Sequence, residues 1–481
     1  MSLRQRVIRG LSWSFLGRFG TQLFQVCFSI ALARLLTPAE FGAIGMLFVF
    51  TGFAQVLSDS GLSSALIYNQ KITEAHRSTA FWLQMAIGAC LTLLFYFIAP
   101  AIARFYDLPI LDPLTRLISV VFVMQALGQT QSALLTKEFQ FRRLAIATTG
   151  ATVISGGVAL VMARFGFGIW ALAWQILILS GMSTVSYWLL SNWRPHFLFD
   201  RAAAEEMGKY SGYLLGFGSF NYWVRNGDNL AVGKFLGAHP LGIYSRGYSL
   251  MLLPLNNISA VLGQVMFPAL SQVQEDIPRF RRTFLTAIRL IALISFPLMI
   301  GLAVLADPFI KVLLGLRWVE VVPVLHVLSL VGLAQSIIAP VGWIYTGLGK
   351  TRAQFQVSIF LAIAFVVAMA VGLRHGVMGV VYAYAAWAVF SGVSTYYVAG
   401  RYIHLSVFTI LRSVARISVM TFAMGAIVLL FNVGMAHAWS DAARLGVGTV
   451  LGIAAYLVLC LVTRDETFDE LLRFTGVRKI A

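Results

Sequence analysis

The stretch Ala31-Leu-Ala-Arg34-Leu-Leu36-Thr-Pro-Ala-Glu-Phe-Gly42 returns two hundred residues later, without a gap, as Ala231-Val-Gly-Lys234-Phe-Leu236-Gly-Ala-His-Pro-Leu-Gly242. In each copy a long apolar run ends on a basic residue, a short break follows, and a second apolar run begins. Six apolar runs separate the copies. That even number means both copies enter a membrane in the same sense. Parallel repeats related by an axis along the membrane normal are a transporter architecture.

Composition makes the membrane unavoidable. Of 481 residues, 59% are hydrophobic and 11% charged, against roughly 45–50% and about 25% in soluble domains. Soluble domains could not hide this much apolar surface, so a soluble enzyme is excluded. Apolar windows fall at about 11–34, 41–66, 79–101, 114–135, 144–164, 167–191, 209–235, 241–268, 285–306, 322–346, 355–373, 377–399, 411–433 and 444–463. Each is near the length of a spanning helix, about 20 residues. The short alternating segments of a membrane barrel are missing. The expected fold is an all-α polytopic membrane protein with about fourteen transmembrane helices. Residues 1–191 form an N-terminal six-helix lobe, 192–208 a cytoplasmic linker, and 209–400 a parallel C-terminal six-helix lobe. Residues 401–481 add two helices and a cytoplasmic tail. The cysteines, Cys27, Cys90 and Cys460, all lie in apolar runs and read as buried thiols.

The net charge of +17 would suggest nucleic acid in a soluble protein; here its location matters more than its size. With the N-terminus inside, twenty-four of the 36 Lys and Arg residues fall in inside segments, nine outside and three within helices. This asymmetry places both termini in the cytoplasm and leaves no need for a nucleic-acid partner.

Catalytic chemistry has no foothold. There is no His-Glu-x-x-His, no paired-cysteine spacing and no phosphate-cradling glycine loop, and no enzyme activity or cofactor is expected. Polar residues inside the windows say more. In the first window Arg18, Gln22, Gln25 and Ser29 form one helical stripe, and in the seventh Asn221, Arg225, Asp228 and Asn229 form another. The repeat offset sets Gln25 against Arg225 and Ser29 against Asn229. Gln55 and Asp59 in the second window, Gln125 and Gln129 in the fourth, and Arg246 in the eighth extend the set. Polar side chains facing lipid are costly, so these faces should look into the protein. Arg18 lies about 10 Å and Arg225 about 24 Å from the inner helix end, and an arginine at mid-helix costs roughly 2.5–3.5 kcal/mol. Arg225 can be read structurally, as the partner of Asp228 one turn on. Arg18 has no acid in its own helix.

Leu36-Thr-Pro-Ala-Glu-Phe-Gly42 with Asp59-Ser-Gly-Leu62 resembles the N-terminal signature of bacterial polysaccharide exporters of the Wzx type, in the multidrug/oligosaccharidyl-lipid/polysaccharide (MOP) superfamily. Asp228 to Gly237, Leu241 to Arg246, and Phe267-Pro-Ala-Leu-Ser271 agree with it. Trp318, Pro323-Val-Leu325 and Gly332-Leu333 are similar to the colanic acid exporter branch. The resemblance covers about residues 5–400. It implies a MATE-like two-lobe fold and export of an undecaprenyl-diphosphate-linked oligosaccharide to the periplasmic leaflet of a bacterial inner membrane. The product would feed exopolysaccharide, capsule or O-antigen synthesis, with a polymerase and chain-length machinery as further partners. Arg18 and Arg225 would face a shared, partly cationic central cavity and meet the anionic part of the lipid-linked glycan, and Gln22, Gln25, Asn221 and Asn229 would face its sugars. A coupling ion, proton or sodium, is left open. One alternative is a cation-coupled multidrug exporter, which commonly carries a carboxylate in helix 1 where this chain has Arg18. Another is a membrane-embedded glycan polymerase or ligase, which usually carries a large periplasmic loop; every loop here is short.

Overall fold

The computed structural model describes residues 3–59, 61–68, 72–435, 438–463 and 467–468. Among them there is no strand. The helices are α1 (Leu3–Leu35), α2 (Pro38–Asp59), α3 (Leu62–Tyr68), α4 (Glu74–Phe105), α5 (Leu111–Lys137), α6 (Phe141–Arg164), α7 (Ile169–Leu190), α8 (Arg201–Leu236) and α9 (Ala238–Gln272). They continue as α10 (Ile277–Val304), α11 (Ala306–Leu313), α12 (Val321–Ile338), α13 (Val341–Gly347), α14 (Thr351–Leu373), α15 (Gly376–Tyr402), α16 (Val407–Gly434) and α17 (Asp441–Thr463).

Two of the expected windows are broken helices. The 41–66 window splits at Gly61, whose φ of +69° ends α2 and starts α3. The 322–346 window splits into α12 and α13 at Pro340, whose missing N–H interrupts the ladder. Eleven segments among the described residues are long and apolar enough to cross a membrane, each short pair counted as one. The long helices α1, α8 and α9 are not among them. Two of these hold the polar stripes, which lower their hydropathy. The chain is a multi-pass membrane protein.

Contacts divide the chain after Gly242. In the first unit α1 packs on α6, α4 on α5, α5 and α6 on α7, and α8 along α2, α3 and α4. Compact packing therefore extends one helix beyond the 192–208 segment. The interior of this unit is built from small residues. Ala147, Ala151, Ser155, Ala159 and Ala163 recur every four residues on the buried face of α6. Small side chains let helix backbones approach where no water drives them together. Arg143 of α6 donates to the Leu190 carbonyl at 2.6 Å, and Lys137 of α5 to the Leu66 carbonyl at 2.8 Å. Each cation thus satisfies the open end of a helix.

In the second unit α10 packs on α12 and α16, and α16 on α17. Ile410, Val414, Ile417, Met420, Met424 and Val428 supply the buried face of α16 at three- and four-residue steps. On α17 the buried residues Arg444, Gly448, Gly452, Tyr456 and Cys460 fall every fourth position. A Cβ at Gly448 would sit 2.8 Å from Leu305 Cδ2, so the backbone is pressed against that side chain. Cys460 is buried as expected, but Cys27 and Cys90 are exposed. A thiol is apolar enough to face lipid, so an apolar run does not imply burial inside a membrane protein.

Candidate functional site

A cavity of about 930 Å³ opens inside the first unit, walled by α1, α2, α3, α5, α6, α7 and α8. Its residues lie in the halves of α5, α6 and α7 nearest the α2–α4 and α7–α8 connections. Among the described residues, fifteen of the twenty-four in the lining are Gln, Ser, Thr or Tyr, and none is Asp, Glu, Lys, Arg or His. This is unusual for the interior of an apolar bundle. Each polar residue there needs a partner or a polar guest.

Some have protein partners. Gln55 Nε2 donates to Gln125 Oε1 at 3.0 Å, joining α2 to α5, and Gln129 Nε2 approaches Ser58 Oγ at 3.4 Å. Thr184 donates to the Met124 carbonyl at 2.7 Å, and Thr148 and Thr152 donate to carbonyls four residues back. Others have none. The Ser180 hydroxyl, in a residue only 7% exposed, has no hydrogen-bond partner among the described residues. Gln55 and Gln125 spend one amide group on each other. Whichever way the amides are flipped, the pair keeps one carbonyl and one NH₂ for a guest.

Four sequence candidates meet here: Gln25, Gln55, Gln125 and Gln129 all line the cavity. Arg18 does not line it, but is exposed one and two turns before Thr21 and Gln25 on the same face of α1. Gln22 is half-buried outside the lining. The Asp59 side chain lies outside the described residues. On α8, Asn221 and Arg225 are exposed and Asn229 is half-buried. Asp228 is 2% exposed and accepts from the Asn229 backbone N–H at 2.8 Å. Arg225 makes no ion pair among the described residues, so the Arg225–Asp228 pair open from the sequence is not formed. Neighbouring residues hold α8 in place: the Tyr222 hydroxyl lies 2.8 Å from the Phe48 carbonyl oxygen and 2.9 Å from that of Val49. Arg246 belongs to the second unit, with its guanidinium 5.2 Å from the centre of the buried Trp318 ring. Such a contact positions a cation by its flat face.

Sequence reasoning missed the contribution of α6 and α7. Thr148 and Thr152 are one turn apart. Ser180, Ser183, Thr184 and Tyr187 fall at i, i+3, i+4 and i+7, the same stripe criterion that found α1 and α8.

The comparisons agree with this architecture. The family model described as polysaccharide biosynthesis protein matches residues 31–323. The teichuronic acid biosynthesis protein TuaB of Bacillus subtilis is 27% identical over 476 residues, covering 98% of this chain and 99% of that protein. The lipopolysaccharide biosynthesis protein WzxC of Escherichia coli is 26% identical over 408 residues, 83% of this chain and 82% of that one. In fold, the chain is similar to the lipid II flippase MurJ in its inward closed conformation, with a TM-score of 0.76 at 16% identity over 96% of this chain and 99% of that one. An inward-facing MATE transporter of the MOP superfamily gives 0.63 at 14% identity over 80% and 94%. The chain has the fold of MOP-superfamily transporters, and it belongs to the polysaccharide biosynthesis protein family.

Proposed function

We propose that the protein moves an undecaprenyl-diphosphate-linked oligosaccharide from the cytoplasmic to the periplasmic leaflet of a bacterial inner membrane. It does so by alternating access of two lobes, 1–191 and 209–400, with both termini in the cytoplasm. The 192–208 segment connects the lobes and 401–481 is an accessory part. The observation that carries this reading is a large cavity, lined by amides and hydroxyls, inside a membrane helix bundle. An unpaired hydroxyl moved from water to hydrocarbon costs about 4–8 kcal/mol, so a glycan cannot cross unaided. A wall of Gln, Ser and Thr replaces the water it gives up. The relatives named for teichuronic acid and lipopolysaccharide biosynthesis support the same cargo class. Arg18 and Arg225 serve the diphosphate, because a guanidinium meets phosphate through two parallel hydrogen bonds. Gln22, Gln25, Asn221 and Asn229 attend the sugars, with Asp228 and Arg246 at the margins of the path.

The multidrug reading is less well supported. α1 contains no Asp or Glu, and among the described residues the cavity lining holds no carboxylate to meet a cation. The test is flipping of a labelled undecaprenyl-diphosphate oligosaccharide in reconstituted vesicles. Its appearance in the opposite leaflet, with no glycosidic bond made or broken, is the expected result. Elongation of the glycan would instead support a polymerase, and no movement of any lipid-linked glycan would overturn the reading.

A further inference from the structure

Resting on that reading, we propose that the first-unit cavity is a subsite for an uncharged segment of the glycan and excludes sugars bearing carboxylate or phosphate. Two independent features carry the proposal. The first is the lack of charge among the described residues of the lining. A carboxylate brought into such a wall loses its water and gains no counter-ion, whereas the arginines assigned to anions lie outside the lining. The second is the set of polar groups left unspent. The buried Ser180 hydroxyl has no partner among the described residues. The Gln55–Gln125 pair retains one donor group and one acceptor. Gln25, Ser64 and Ser183 make no hydrogen bond among the described residues.

These groups suit a sugar. Each sugar hydroxyl donates once and accepts up to twice, and serine and glutamine offer both functions. An ionised carboxylate only accepts, so the hydroxyls and amides would have to turn every donor toward it while still leaving the charge unneutralised. Phe48 and Tyr187 add aromatic surface to the same wall, on which the apolar face of a sugar ring can lie. The cavity thereby sorts the cargo by part, with neutral sugars inside and charge outside.

The test uses the full chain in nanodiscs and saturation-transfer NMR at pH 7, with cellotetraose as the neutral probe and tetragalacturonate as the acidic one. The neutral probe is expected to give transfer and the acidic probe none. Gln55→Leu with Gln125→Leu should weaken the neutral probe about tenfold, the factor that 1.4 kcal/mol represents. Gln125→Lys should gain transfer to tetragalacturonate while losing it for cellotetraose, so a variant that misfolds cannot mimic the result. Equal binding of both probes, or neutral binding untouched by either variant, overturns the subsite. Flipping separates the two readings. Vesicles that flip a lipid-linked glycan while cellotetraose gives no transfer refute the subsite alone. Cellotetraose binding that obeys the variants, without flipping, refutes only the transport reading.

Discussion

Gly42 of α2 and Gly242 of α9 meet reciprocally. A Cβ on Gly42 would lie closer than 3.0 Å to the Ala238 carbonyl oxygen, and one on Gly242 equally close to the Pro38 carbonyl oxygen. The two contacts interchange under the 200-residue offset of the repeat. Lys234, at the end of α8, binds Asp107 at 2.9 Å beside the same crossing, and a Cβ on Gly233 would lie 3.1 Å from the Tyr106 ring. The first turns of two repeat-related helices thus touch backbone to backbone, with no room for a methyl group on either side.

Gly42→Ala and Gly242→Ala are therefore expected to force this crossing apart at about 1–3 kcal/mol each, the usual penalty for overpacking. Thermal unfolding in detergent and flipping in vesicles should both fall. Gly157→Ala is the control: nothing lies within 4 Å of its Cβ position, and alanine favours a helix by about 1 kcal/mol over glycine. If the two alanine variants at the crossing match the control, the contact is not maintained in the membrane.

Arg444 should matter for stability rather than transport. It is 7% exposed. Its guanidinium reaches Asn432 Oδ1 at 2.7 and 3.0 Å and Asp441 Oδ1 at 3.0 Å. Asn432 in turn donates to the Val304 carbonyl at 3.1 Å, tying α16 to α10. Arg444→Ala should cost about 3 kcal/mol, as breaking a buried ionic contact does, and lower the unfolding temperature. Vesicles adjusted to equal protein content should flip at the parental rate. A loss of flipping at full stability would reverse this assignment.

The arginines of α1 and α8 predict the opposite pattern. Both are exposed, so Arg18→Ala and Arg225→Ala should leave abundance unchanged and reduce flipping at least tenfold. Arg225→Lys should fall between, since it keeps the charge but loses the planar fork. Asp228→Asn tests the buried acid separately: lower abundance makes it structural. Normal polysaccharide export by both alanine variants at normal abundance would refute the cationic role.

The proposed orientation predicts periplasmic signals from reporter fusions after Arg34 and Arg164, and cytoplasmic signals after Lys71 and Arg201. The inverted pattern would reverse the inside assignment of the basic segments.

Much of this fold was readable because most membrane helices are apolar along a bilayer-long run, so windows alone locate them, while α1, α8 and α9 run longer and carry more polar residues. Where a span breaks is another matter. The turn at Gly61 and the restart at Pro340 interrupt runs that remain apolar on both sides. The cavity was half readable. Gln25, Gln55, Gln125 and Gln129 stand out because an amide inside an apolar run is too costly to leave facing lipid. Thr148, Thr152 and Thr184 escaped because a threonine can return its hydroxyl to a nearby carbonyl and pass as apolar; Thr148 and Thr152 do so within their own helix. Arg246 could not be placed from periodicity at all, since its partner Trp318 lies seventy-two residues away in a short turn.

The neutral wall of the first-unit cavity has an electrical consequence. Moving one elementary charge across the membrane potential is worth about 2.3 kcal/mol per 100 mV. The described residues of the lining carry no charged side chain, so they add nothing to the charge displaced when that wall exchanges one side for the other. In the proposed cycle the voltage then acts on the diphosphate and on whatever cations travel with it. With the interior negative, the field pushes those phosphates outward, in the direction of export, while the sugars ride without electrical cost.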